Sequence, residues 1–172
     1  MPAFVLTGTP GSGKTAILRQ LEVDGFAVVE EAATDVIALR QARGEAEPWP
    51  VPGFAAEVLD LQRRRWDRAD PAGTTVFFDR SPVCVVALCR WMGVPAPEVE
   101  FAGYERVVFF VRQQGFVEPT AARRISYVDS LAFEKVHEEA YAELGFDLVE
   151  VPAGPLAQRV SVIIGAVNSS TK

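Results

Sequence analysis

The sequence predicts an α/β domain built on a five-stranded parallel sheet, and three observations carry that prediction. Short apolar runs dense in Val and Phe alternate along the chain with longer segments of helical period. The runs are apolar at nearly every position instead of alternating with polar residues, the pattern of strands covered on both faces. Each connection is long enough for a helix, as parallel neighbours joined by right-handed crossovers require.

In chain order, the predicted strands are 3–7 (AFVLT), 26–30 (FAVVE), 75–79 (TVFFD), 106–111 (RVVFFV) and 146–151 (FDLVEV). Helices are predicted over 14–23, 32–43, 54–70, 83–92, 127–144 and 155–168. The Pro-rich stretch 47–54 (EPWPVPGF) and the turn 71–74 (PAGT) interrupt helical periodicity without the length or composition of a domain linker. The polar tail 168–172 (NSSTK) reads as a frayed end. A length of 172 residues with about half the composition apolar suits one domain over 1–172.

A formal net charge of -6 argues against standing attraction to nucleic acid or anionic lipid, which call for a basic face. No positively charged start followed by an apolar segment is present, so a cytoplasmic protein without a membrane span is expected. The partners expected are therefore small molecules. Cys84 and Cys89 have neither zinc-pair nor redox-dithiol spacing and read as buried core thiols.

The most specific motif is 8–15, GTPGSGKT, which matches G-x-x-x-x-G-K-[ST] at every fixed position. A strand precedes it and a helix follows, turning backbone N–H groups and the positive helix end toward an anion. The candidate nucleotide-binding residues are Gly8, Thr9, Pro10, Gly11, Ser12, Gly13, Lys14, Thr15 and Ala16. Lys14 would reach the β- and γ-phosphates, and the Thr15 hydroxyl would ligate Mg²⁺. The bland alternative is a glycine-rich strand-to-helix turn.

Asp79 closes the third strand, a position suited to a carboxylate that holds the metal ion, and Arg80 follows at the edge where ligands of open α/β sheets bind. Asp79 could instead cap the next helix, since Ser81 and Pro82 read as a helix start, and Ser81 reads as a cap and not as a catalyst. The second strand ends at Glu30 and Glu31, either of which could be a general base for an acceptor hydroxyl or an acid favoured by a helix dipole. A segment around 112–128 carries Arg112, Arg123 and Arg124 with Gly and Pro, a candidate lid that would close arginines over a charged transition state. The alternative is a solvated basic helix end. His137 lacks a second histidine at helical spacing and reads as a helix-face residue. Trp49, Trp66 and Trp91 read as core or pocket wall, with Trp49 placed to stack on a planar substrate.

Taken in order, GTPGSGKT, VVEEAA, FFDRSP, AARRIS, HEEAYAELGFDLVEVP and QRVSVII resemble the small AAA-type predicted ATPase/kinase family over nearly the whole chain. That family includes the ribosylnicotinamide kinase domain of bacterial NAD-metabolism regulators and is more distantly similar to P-loop deoxynucleoside kinases. The resemblance implies a three-layer P-loop NTPase fold with sheet order 2-3-1-4-5, a short helical lid, an ATP and Mg²⁺ site and an acceptor pocket. It places the base on Glu31 or Glu30 and the acidic-Arg-Ser block on Asp79 and Arg80, beside Lys14, Arg123 and Arg124 as further catalytic candidates and Thr15 and Asp79 as metal ligands. Two functions follow as expectations: a kinase passing the γ-phosphoryl of ATP to a small acceptor such as a nucleoside- or nucleotide-like compound, or an ATPase or nucleotide-dependent switch without one.

Overall fold

A computed structural model describes residues 2–69, 73–115 and 125–170. Along them the chain runs β1 (Ala3–Thr7), α1 (Lys14–Val23), β2 (Ala27–Val29), α2 (Ala32–Ala42), α3 (Phe54–Arg68), β3 (Val76–Asp79), α4 (Pro82–Met92), β4 (Val107–Val111), α5 (Tyr127–Glu143), β5 (Asp147–Val151) and α6 (Leu156–Ser170). The strands form one parallel sheet in the order β2-β3-β1-β4-β5. This is the order expected from the resemblance.

Alternation along each strand sorts the side chains into two faces. Phe4, Leu6, Phe77, Phe109 and Val111 turn to one side, where Ile17, Leu18 and Leu21 of α1 and Val160, Ile163 and Val167 of α6 cover them. Phe4 sits beside Phe77 in register, and its ring packs 5.9 Å from that ring and 5.8 Å from Phe109. Val5 and Val108 face the opposite layer, against Val83, Cys84 and Ala87 of α4 and Phe133, Ala140 and Tyr141 of α5. Helices α2 and α3 extend that layer through Ala32, Val36, Phe54 and Val58, which meet Val85 and Cys89. Each large apolar side chain removed from water contributes about 1.5–3 kcal/mol, so this three-layer core is the main source of stability.

The expectation of strands buried on both faces holds for β1, β3 and β4 and fails for β2 and β5, which are partly exposed. Each of those two forms an edge of the sheet, with a strand on one side only. The register aligns the carboxyl ends: Leu6 lies beside Asp79, Thr7 beside Phe110 and Val29 beside Phe78. The loops that leave these ends, 8–13, 30–31, 80–81 and 112–115, therefore gather along one rim.

Candidate active site

The loop after β1 wraps on itself. Gly8 has φ 131°, and a Cβ there would lie 2.4 Å from the carbonyl oxygen of Val111, so the close approach of β4 leaves room for glycine alone. Gly13 caps α1 at φ 91°, and a Cβ on it would meet the Arg159 guanidinium at 2.8 Å. Lys14 turns back over the loop and donates from Nζ to the carbonyls of Gly8 and Thr9, both at 2.9 Å. Burial, followed by the nearby Arg80 guanidinium, lowers its ammonium to about 8. The loop is braced from outside by Gln113, which donates from Nε2 to the Thr9 hydroxyl and to the carbonyl of Pro10. Arg159, 2% exposed, donates to the carbonyls of Ser12 at 2.8 Å, Arg112 at 2.8 Å and Pro152 at 3.0 Å.

Beside the loop lie two carboxylates and a second cation. Burial pushes the Asp79 carboxyl up to about 6, with Lys14 acting against it, and its Oδ1 is buried without a hydrogen-bond partner among the described residues. Ser81, whose hydroxyl accepts from Val83 N at 3.3 Å, caps α4, which leaves Asp79 free of that duty. Arg80 has φ 72°, the one positive φ outside glycine among the described residues. Its Nε lies 2.5 Å from Glu31 Oε1 in an ion pair. Burial acts to raise the Glu31 carboxyl, but Arg80 and then Lys14 outweigh it and hold the group below its ordinary range. Thr34 adds a hydroxyl donated to Glu31 Oε2 at 3.1 Å.

A cavity of about 720 Å³ opens from the loop past Glu31 and Arg80 into the space between α2, α3, α4 and α5. Trp49, Phe54, Trp91 and Phe133 supply aromatic walls, and Gln62 presents a buried Oε1 without a hydrogen-bond partner among the described residues. The phosphate loop and this chamber are thus one continuous space.

A family model described as an AAA domain matches residues 3–159. The chain belongs to the AAA domain family. No curated protein matches this AAA domain. Among solved structures, deoxyadenosine kinase from M. mycoides, with products dCMP and a flexible dCDP bound, superposes with TM-score 0.67 at 14% identity, covering 97% of this chain and 98% of that one. NadR in complex with NR gives 0.71 at 16% identity; the match covers 98% of this chain and 50% of NadR, so the AAA domain spans half of that protein. Thymidylate kinase from Ehrlichia chaffeensis gives 0.59 at 11% identity over 96% of this chain and 98% of that one. These likenesses establish the P-loop kinase fold.

Within the AAA domain, the sequence candidates separate. Gly8, Thr9, Pro10, Gly11, Ser12, Gly13, Lys14 and Thr15 form the loop and its helix start, with Ala16 exposed on the first turn of α1. Glu31, Asp79 and Arg80 converge on Lys14, whereas Glu30 turns outward to Arg19. Arg123 and Arg124, with most of the candidate lid, lie outside the described residues. Arg112 is held elsewhere: it pairs with Glu134 at 2.9 Å and with Glu138 and Glu150, and its guanidinium lies 4.4 Å from the Phe110 ring centre. Those contacts make it a brace between β4, β5 and α5. His137 is fully buried against Arg80 instead of lying on an open helix face. Cys84, read as a plain core thiol, lines the cavity, where burial acts to raise its thiol and the neighbouring His137 and Arg80 act to lower it. Cys89 is the core thiol expected, 1% exposed. Trp66 stacks on Phe78 and packs at a tilt against Tyr104.

Proposed function

We propose that this AAA domain is a kinase that transfers the γ-phosphoryl group of ATP to a hydroxyl on a small, planar-ringed acceptor of nucleoside or nucleotide type. The observation that carries this reading is the single cavity that joins a phosphate loop to an aromatic-walled chamber across Glu31 and Arg80. Flat apolar walls suit a ring, and the unsatisfied Gln62 Oε1 suits a donor on that ring's edge.

On this reading the amides of 8–15 and the start of α1 cradle the phosphates, and Lys14 exchanges its loop carbonyls for β- and γ-oxygens. Glu31, kept ionised by Arg80 and Lys14, accepts the hydrogen bond of the acceptor hydroxyl and takes its proton as the new bond forms. Arg80 faces the charge that develops on the transferred group, and Arg123 and Arg124 are assigned to a lid that closes over it. The partnerless Oδ1 of Asp79 and the Thr15 hydroxyl at the start of α1 form a hard oxygen donor set of the kind Mg²⁺ takes together with phosphates. When bound there, Mg²⁺ neutralises charge on the phosphates. Positioning and electrostatics carry the catalysis.

Incubation with ATP, Mg²⁺ and a panel of nucleosides, nucleotides, sugars and cofactor precursors tests the reading through ADP release and the mass of each acceptor. A kinase adds one phosphate to at least one acceptor, and Glu31→Gln slows that step while sparing ATP binding. ADP release that ignores every acceptor supports an ATPase or switch instead.

A further inference from the structure

His137 is the one histidine of the chain and has no exposed surface. Its Nδ1 lies 3.0 Å from the carbonyl oxygen of Phe133, one turn earlier on α5. A carbonyl can only accept, so Nδ1 carries the hydrogen. Its Nε2 lies 3.3 Å from Nη1 of Arg80, and a guanidinium can only donate, so Nε2 presents a lone pair. With the Cys84 sulfur a third neighbour of the ring, the Phe133 carbonyl and the Arg80 guanidinium select the neutral imidazole with its hydrogen on Nδ1, its Nε2 lone pair turned to Arg80 and to the Cys84 thiol.

Arg80 needs such a partner. Its backbone is left-handed, a conformation a non-glycine residue keeps only when the surroundings over-determine it. The backbone is tied down by its N–H on the Leu6 carbonyl at 2.9 Å, and the side chain lies among Glu31, His137 and the Cys84 sulfur. Glu31, at the start of α2, forms an ion pair on the Nε side, and His137, from the middle of α5, faces Nη1. A flat guanidinium held by one carboxylate can still swing about that contact, whereas a second acceptor on a different helix fixes its plane. The ring of His137 is itself locked, by the Phe133 carbonyl and by an edge-on contact with the Phe133 ring at 4.3 Å.

We propose that His137 is a positioning residue for Arg80, its Nε2 lone pair and the Glu31 carboxylate jointly aiming the guanidinium into the cavity where phosphoryl transfer takes place. The consequence for turnover rests on the kinase reading; the geometry does not. The arrangement also makes the seating of α5, the helix that follows the candidate lid segment, a condition for an aligned Arg80.

Two measurements test this. In tag-free protein, long-range proton–nitrogen NMR of the single imidazole is expected to show the neutral tautomer protonated at Nδ1, with the Nε2 resonance moving in Arg80→Ala; an Nε2–H tautomer, or an Nε2 resonance indifferent to Arg80→Ala, overturns the proposal. This readout needs no acceptor, so it still decides if the panel of acceptors yields no phosphorylated product and the kinase reading falls. With an acceptor in hand, His137→Leu is expected to lower kcat about 100-fold with the KM for ATP within about two-fold, a misplacement effect on the chemical step. His137→Gln, whose amide can accept from Arg80 and donate to Phe133, is expected to recover kcat to within about ten-fold of the wild type. A folded His137→Leu enzyme at wild-type kcat, or a Gln variant no better than Leu, overturns it. If His137→Leu does not fold, the Gln variant and the tautomer decide.

Discussion

Lys14 and Asp79 sit side by side with opposite preferences, and each is pushed toward its neutral form by burial. For Lys14 the lowering to about 8 predicts proton traffic on nucleotide binding. Phosphate oxygens favour the ammonium, so near pH 8.5, where part of the lysine is neutral, binding ATP should draw in roughly half a proton or more. Calorimetry in two buffers of different ionisation enthalpy measures this uptake, and Lys14→Ala should remove most of the binding heat. For Asp79 the sign runs the other way. Its carboxyl in the folded protein, raised to about 6 from an ordinary 3.8, holds a proton that the unfolded chain has already released between those values. Stability contributed by this group is therefore present below that window and lost as pH rises through it. Asp79→Asn is expected to be more stable than the wild type at pH 7 and similar at pH 4 in urea titrations, while losing the Mg²⁺ dependence of ATP binding. Equal stability at both pH values would show that Asp79 ionises without cost.

At the scale of elements, α6 contributes more than its apolar face. Arg159 leaves that helix, buries its guanidinium and spends its donors on backbone carbonyls at the ends of three strands' loops, with no carboxylate among those partners. Arg159→Gln cannot span all three, and an unsatisfied buried carbonyl costs about 1–3 kcal/mol. A loss of about 3 kcal/mol in urea denaturation is expected, together with weaker ATP binding, because Ser12 belongs to the phosphate loop. None of this was legible from sequence. The elements themselves were, because apolar period and Gly/Pro punctuation are local, and the observed bounds differ from the expected ones by at most two residues where both are described. The phosphate loop was legible because it is contiguous, and Glu31, Asp79 and Arg80 because strand ends in a parallel sheet share a rim. His137, Gln113 and Arg159 reach that rim across separations of 57, 104 and 147 residues, so only the packing of α5, β4 and α6 brings them there. Arg112 shows the converse: its composition suggested a lid, and three carboxylates on α5 and β5 had already claimed it.

For the whole molecule, the folded state keeps two cations, Lys14 and Arg80, and the Asp79 carboxylate nearly out of water, with Glu31 partly buried beside them, at one rim of the sheet. Burying charges is costly even when they pair, so the core built by α1, α4, α5 and α6 offsets a strain that the rim introduces. A ligand that meets those charges with charges of its own should return part of that cost, and its binding adds to global stability by mass action. At a hundred-fold excess over Kd the gain is about 2.7 kcal/mol. In a chain of this length each kcal/mol moves Tm by roughly 2–4 °C, so MgATP should raise Tm by about 5–10 °C. The size of the shift depends on which part of the nucleotide is recognised. If the loop amides and Lys14 supply the affinity, ADP keeps much of the shift, AMP loses nearly all of it, and Lys14→Ala loses it for every nucleotide. A thermal-shift series over ATP, ADP, AMP and adenosine with Mg²⁺ reads this directly. A shift as large with AMP as with ATP would move the recognition to the aromatic chamber and take the phosphate loop out of the donor site.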